Sequence, residues 1–505
     1  MRYRRRLIVI LIIIAALRLA YIAWAPIDLS PDEAHYWEWS RRLALSYYSK
    51  GPLMAYVIAF FTALFGNTAF GVRAGAVVFS TAFSYLAYLL GIETSAGEKA
   101  GFYAALAVHA VPLFSIGSIL MTTDVLLIFF WLASVYCVNR AVSGRAAWWY
   151  VAGVCSGLGF LAKYSMALIY PCVFLFLLFS IKERGWLRRK EPYLALLIGF
   201  IVSMPVLVWN MENKLVTMKH TLGQIHGGEG ANSITSFLEF AASQAGLLTP
   251  FVFVALIYGM WRCFKYGFKE KDSGALLIFF TSAPVLCFFL IKSLHAKVQA
   301  NWAAISYAAL FPAAVWAFMK AYNSYGKYGR WFLKGHLVLG ILLAVAVSFA
   351  AYFPWPLERA IKIGLFSRPP FNRITGWREL GAKVSDVLTE LEKDSKTFIM
   401  SDTYQITSEL AMYTKGQPIA YNINTGSRRM NQYDLWPSFN ELYGYSAVYV
   451  KGGDAGIEPI VAASFDRCEK ELFNVPYRGR LVKTMSIFRC YNFKGLKEAP
   501  RPERF

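Results

Sequence analysis

Charge is scarce in this sequence. Only 16% of its 505 residues are Asp, Glu, Lys or Arg, against roughly 25% in soluble domains, which excludes an ordinary soluble globular protein. Acidic residues are the scarcer sign, 31 against 52 basic ones. The basic surplus nevertheless does not indicate a nucleic-acid partner, because most of it sits in short connections between apolar runs. Cysteine is infrequent too, and none of the seven stands in a CxxC or Cys/His spacing of metal-site type. No internal repeat and no low-complexity tract occurs, so the repeat symmetry of many secondary transporters is missing. A small-residue cleavage site is also missing after the first apolar run, and that run is too long for a signal peptide.

Apolar length is what the sequence has in abundance. Runs near 20 residues recur from Leu7 to Phe353, and a run of that length crosses the hydrocarbon core as a helix. Any other lipid-exposed backbone would leave N–H and C=O groups unpaired in oil. Eleven spans are expected, at about 7–26, 71–91, 100–119, 124–140, 147–163, 165–181, 192–209, 244–262, 274–292, 301–319 and 331–353. With that parity the connections rich in Lys and Arg share one face, which is the cytoplasmic one. The N-terminus is then inside and the tail outside. Two outside loops are long, 27–70 and 210–243. Within the first, 52–65 is apolar but short for a span and suits a helix lying at the interface.

From about Pro354 the composition changes. Residues 371–494 lack membrane-length runs. Helical spacing over Gly376 to Lys393 alternates with short buried strands at Thr397 to Met400, Ala447 to Val450 and Met485 to Phe488. The expected architecture is therefore a polytopic α-helical membrane protein, with a membrane domain over 1–353 and a small extracytoplasmic α/β domain over 354–505. Cys468 and Cys490 fall in that second domain, in an oxidising space, and are expected to pair.

The strongest chemical signal is the first outside loop. Ser30-Pro31-Asp32-Glu33 reads as a capped helix start with acidic residues in its first turn. The same loop carries Tyr47-Tyr48-Ser49-Lys50-Gly51-Pro52, so carboxylates and a cation share one membrane-level segment. Asp124 follows Thr122-Thr123 at a span junction, where it is either a helix cap or a functional carboxylate. Lys163 is a lone cation in an apolar stretch, either reaching toward the interface or holding a phosphate. Arg18 lies mid-span with no acidic residue three or four positions away, and Arg73 opens the second span. His220 and His226, with Glu229, occupy the second outside loop. They could hold a divalent metal, although the spacing is not diagnostic; loop polarity or substrate contact are the alternatives. Lys297, with Lys292 and His295, forms a further basic cluster that could meet anionic membrane lipids.

Asp32-Glu33-Ala34-His35-Tyr36-Trp37 followed by Tyr48-Ser49-Lys50-Gly51-Pro52 resembles the first loop of the GT-C glycosyltransferases. The likeness is to the branch that joins bacterial aminoarabinose (lipid A) transferases and protein O-mannosyltransferases. It continues through Thr122-Thr123-Asp124, Gly157 to Tyr164, Trp209-Asn210, Lys297 to Trp302 and Asn431 to Pro437, in order over nearly the whole chain. Two positions depart from the aminoarabinose pattern, Ser49 before the lysine and Gly51-Pro52 after it. The resemblance implies a polyprenyl-phosphate-linked sugar as co-substrate and an envelope glycolipid, lipopolysaccharide or other glycan as acceptor. It also implies a bacterial inner-membrane location. A flippase of lipid-linked sugars and a protein O-glycosyltransferase are the alternatives. On this reading Asp32 is the catalytic carboxylate, with Glu33 and Asp124 holding geometry. Lys50, Lys163, Arg18 and Arg73 meet the donor phosphate. His220, His226, Lys297, Tyr433 and Trp436 are candidates for substrate contact.

Overall fold

In the computed structural model, residues 2–24, 27–226, 233–361, 364–426 and 428–497 are described. All eleven expected spans fall on helical segments, but they differ in length and straightness. Among the described residues six helices are long and apolar enough to cross a membrane: Arg2–Trp24, Ala69–Glu93, Thr123–Val142, Lys190–Glu212, Ser273–Ser293 and Lys327–Tyr352. Two bent pairs, Ile234–Leu248 with Pro250–Lys269 and Ala300–Tyr307 with Leu310–Ser324, raise the number to eight if each is one span. The remaining expected spans are shorter. Gly97–Ala110 stops ahead of Pro112, which has no N–H to continue the ladder. Trp148–Ala162 and Tyr164–Phe179 are separated by an extended Lys163. The expected short apolar helix in the 27–70 loop is present as Leu53–Phe65.

After Tyr352 the chain builds one five-stranded sheet: β1 (Thr397–Ser401), β2 (Ala420–Asn422), β3 (Ser446–Gly452), β4 (Arg467–Tyr477) and β5 (Arg480–Tyr491). The order is β2-β1-β3-β5-β4. β1 runs parallel to β2 and β3, whereas β5 is antiparallel to β3 and β4. Arg478 and Gly479, both at positive φ, make the two-residue turn of the β4–β5 hairpin, as its twist requires. Cys468 and Cys490 face each other across that hairpin and form a disulfide.

Helices Trp377–Leu391 and Tyr404–Tyr413 lie against the sheet, and their apolar residues do not form a closed core of their own. Leu380, Val384, Leu410 and Val448 belong to one buried cluster with Leu29, Ala34 and Trp37 of the 27–70 loop and with Val72 and Met121. Burial of that shared surface seats the C-terminal α/β unit on the loop that carries the acidic motif.

Candidate active site

The helix Pro31–Ser40 begins with the expected cap. Ser30 Oγ accepts from the Glu33 N–H, and Glu33 Oε2 accepts in return from the Ser30 N–H at 2.9 Å. Glu33 is fully buried. Arg73 Nε and Nη2 donate to its two oxygens at 2.9 and 2.8 Å, and the Met121 N–H donates at 2.9 Å. Arg73 Nη2 also donates to the Asp28 carbonyl at 2.8 Å. This geometry corrects one expectation: Arg73 is committed to a buried ion pair and not placed to bind donor phosphate. Glu33, expected to hold geometry, fastens the loop to the helix Ala69–Glu93 and to Met121 ahead of the helix Thr123–Val142.

Asp32 lies one residue away, about 100° around the helix, and points elsewhere. Its carboxylate opens into a cavity of about 490 Å³ and accepts from Tyr404 Oη at 3.1 Å. The same cavity is lined by Tyr36, Lys50, Asp124, Lys163 and His220. Sequence positions hundreds of residues apart therefore converge on one space.

Two cations define one side of it. Lys163 adopts an extended conformation where its helix ends, which turns the side chain inward. Nζ donates to Asp124 Oδ1 at 2.6 Å, and Asn301 Nδ2 donates to the other oxygen at 2.7 Å. Asp124 is thus neither a bare carboxylate nor the cap of its helix, since Thr122 holds that position. Lys50 has no carboxylate within ion-pair distance among the described residues. Burial and the Lys163 charge push its amine down to about 8. An ammonium so placed is stabilised by any anion that enters. Gly51 fixes the relation between the two lysines. A Cβ there would lie 2.2 Å from the Leu161 carbonyl oxygen, so only glycine lets the Lys50 loop rest on the main chain beside Lys163.

His220 packs against the Tyr48 ring with centroids 4.7 Å apart. Burial, followed by the charges of Lys50 and Arg429, lowers its imidazole to about 4, so it is neutral at ordinary pH. The His226 side chain and Glu229 lie outside the described residues. Among the described residues no three His, Cys, Asp or Glu side chains converge as a metal would require.

The C-terminal unit closes the opposite side. Asp402, Thr403 and Tyr404 follow the carboxyl end of β1, and Arg428, Arg429 and Gln432 come from the segment after β2. Gln432 Oε1 accepts from the Tyr48 N–H at 2.7 Å. Arg428 is held by Asp434 through two bonds of 2.8 and 2.6 Å. Asp402 is engaged by Lys451 at 3.5 Å. Asp32 is then the cavity carboxylate without a cation, and Lys50 and Arg429 are the cavity cations without a carboxylate, among the described residues.

Several expected contacts fall elsewhere. Tyr433 donates to Glu38, whose carboxyl is raised by burial to about 7, and stacks on His35 at 5.2 Å. Trp436 lies under Arg42 at 4.3 Å and edge-on to Tyr433 at 5.2 Å. Neither residue lines the cavity, so both act here as packing between the C-terminal unit and the 27–70 loop. Trp436→Ala is accordingly expected to lower the melting temperature by about 2–4 °C, the effect of roughly 1 kcal/mol. The KM for acceptor stays constant in the folded fraction; a raised KM would restore a binding role. Lys297 is exposed and outside the cavity, although its neighbours Gln299, Asn301 and Trp302 line it. Arg18 lines a separate, adjoining space.

Known proteins resemble this chain in sequence and in fold. The family model described as dolichyl-phosphate-mannose-protein mannosyltransferase matches residues 49–209. A lipid A galacturonosyltransferase of Rhizobium johnstonii is 29% identical over 76% of this chain and 77% of its own. The undecaprenyl phosphate-alpha-4-amino-4-deoxy-L-arabinose arabinosyl transferase of Pseudomonas savastanoi pv. phaseolicola is 27% identical over 38% of this chain and 40% of its own. The crystal structure of ArnT from Cupriavidus metallidurans bound to undecaprenyl phosphate superposes with a TM-score of 0.62 and 14% identity, covering 95% of this chain and 97% of that one. Together these findings support a multi-pass membrane glycosyltransferase with the GT-C fold. Within that class the chain is ArnT-like, with the same helical fold and the small sheet at its C-terminal end.

Proposed function

We propose that this chain transfers a sugar from a polyprenyl phosphate to an acceptor on an envelope glycolipid of the lipid A class, at the outer face of the bacterial inner membrane. The observation that carries the reading is that one cavity holds an uncompensated carboxylate, Asp32, a lysine without a carboxylate partner, Lys50, and a second lysine, Lys163, bonded to Asp124. The acceptor oxygen attacks the anomeric carbon as the bond from that carbon to the phosphate oxygen breaks. Asp32 takes the acceptor hydroxyl proton, and Tyr404 holds its carboxylate in place. Lys50 and Lys163 stabilise the charge that grows on the departing polyprenyl phosphate. A single displacement of this kind inverts the anomeric centre. Where the acceptor is itself a phosphate, Asp32 orients it and no base is needed.

The disulfide in the C-terminal unit supports an oxidising surrounding for that unit. Residues 1–353 then form the membrane part, and 354–505, with the loops 27–70 and 210–243, face outward. A protein hydroxyl as acceptor is the second reading, favoured by the match to the protein mannosyltransferase model.

The cavity's charge also bears on the sugar. With Lys50 facing the donor phosphate, Arg429 is left without a carboxylate, and both cations lie near enough to His220 to disfavour its protonation. A sugar bearing a carboxylate, as the Rhizobium relative's name indicates for that enzyme, answers Arg429 from the position next to the phosphate. Purified protein given polyprenyl phosphates that carry a uronic acid, a neutral hexose or an amino sugar is expected to release free carrier fastest from the first. Release should require acceptor, and Arg429→Gln should remove the preference by about tenfold, the equivalent of one charge-assisted hydrogen bond. No release from any donor would refute the glycosyltransferase assignment. Equal release from all three would refute only the acidic sugar.

A further inference from the structure

A second cavity of about 340 Å³ adjoins the first inside the helical part, and the two share Thr122, Asp124 and Asn301 in their walls. Its lining is mostly apolar, with Phe83, Leu113, Phe114, Ile128 and Leu247 among the contributors. Into this wall Arg18 projects from the middle of the apolar helix Arg2–Trp24. Arg18 is 6% exposed. One nitrogen, Nη1, bonds His109 Nδ1 at 2.8 Å. No carboxylate lies within ion-pair distance of Arg18 among the described residues; Asp124, in the same wall, is taken by Lys163 and Asn301. Arginine has donors only, so His109 Nδ1 must accept. The imidazole proton is then on Nε2, which is buried and without a partner. Tyr352 is a second polar neighbour of Arg18, but a fixed cation in a mostly apolar wall with no counter-ion is still costly, and an unpaired buried N–H adds to that cost.

We infer that this cavity is a second lipid-phosphate site: Arg18 and His109 hold the phosphate of a lipid whose first carbons lie along the apolar wall. The shared wall at Asp124 and Asn301 makes it a holding position beside the reaction cavity. Its status as a second position rests on the assignment of the donor phosphate to Lys50 and Lys163; the need for an anion at Arg18 does not. Two lipids have the required chemistry, free polyprenyl phosphate and a bulk anionic phospholipid such as phosphatidylglycerol.

The full chain in nanodiscs of zwitterionic lipid, titrated with undecaprenyl phosphate and with phosphatidylglycerol in separate arms, is read by native mass spectrometry. Wild type is expected to hold one phosphate lipid beyond the one lost in Lys50→Met. Arg18→Met should lose that second lipid and keep the first. Arg18→Lys should retain it, and His109→Phe should bind it about tenfold more weakly, as loss of a hydrogen bond to a charged group implies. Saturation of the second position in the undecaprenyl phosphate arm identifies a station for the carrier; saturation in the phosphatidylglycerol arm alone identifies a structural lipid. A single lipid on wild type, lost only in Lys50→Met, overturns the second site and leaves the donor assignment standing. A single lipid lost only in Arg18→Met overturns both. A second lipid that persists in Arg18→Met and in His109→Phe also overturns the inference.

Discussion

Asp32→Asn is expected to reduce turnover by about 100-fold or more, the lower end of what general acid–base groups contribute. The fold should survive the change. Asp32 opens into the cavity, carries no salt bridge among the described residues, and accepts a single hydrogen bond, from Tyr404 Oη. An asparagine carbonyl oxygen can accept the same bond. What is lost is the capacity to take a proton and the negative charge opposite Lys50 and Lys163. The comparison that matters is between melting temperature, expected to be unchanged, and steady-state release of carrier, expected to collapse. Near-normal turnover in a well-folded variant would remove Asp32 from the chemistry. Tyr404→Phe gives the graded counterpart, with a smaller loss, because it unties the orientation of Asp32 and leaves its charge.

The opposite pattern belongs to Arg73→Met. Breaking a buried ion pair by removing one partner typically costs about 3–5 kcal/mol, because the other charge is left unpaired. Here the remaining group would be Glu33, fully buried and bonded also to Met121 and Ser30. Removing the arginine also strips the Asp28 carbonyl of a donor. The folded yield and melting temperature should fall sharply, and the loss should be partly repaired by adding Glu33→Gln. A native melting temperature in the single variant would show that the pair is not what fastens the loop.

These two carboxylates are neighbours in the sequence, and the sequence alone gives them the same character. Alternation around a helix separates them, and only the position of Arg73 tells which one is buried. The helical segments and the capped start at Ser30 were legible because apolar length and cap chemistry are local signals. The pairing of Cys468 with Cys490 was legible because the tail offers two cysteines. Strand β4 was not, since Arg467, Glu469, Lys470 and Glu471 give an edge strand a polar face and no buried run. Tyr404 and Arg429 were missed for a different reason. Their use depends on the C-terminal unit sitting against the 27–70 loop, a long-range packing event. A weak trace existed: Asp402, Thr403 and Tyr404 follow a buried parallel strand, and ligands gather at the carboxyl ends of such strands. Tyr433 and Trp436 left two readings open, because aromatics beside amides suit a sugar and suit an interface equally well.

The two halves of the reaction cavity lie far apart in the order of synthesis. Asp32 meets Tyr404 across 372 positions, and Tyr48 meets Gln432 across 384. A ribosome delivers the acidic loop and both lysines long before it delivers the residues that orient and enclose them. Until the last strands are made, the nascent chain therefore displays its lysines without the wall that confines a donor. On the proposed function, competence to react arrives only once the C-terminal unit has been made.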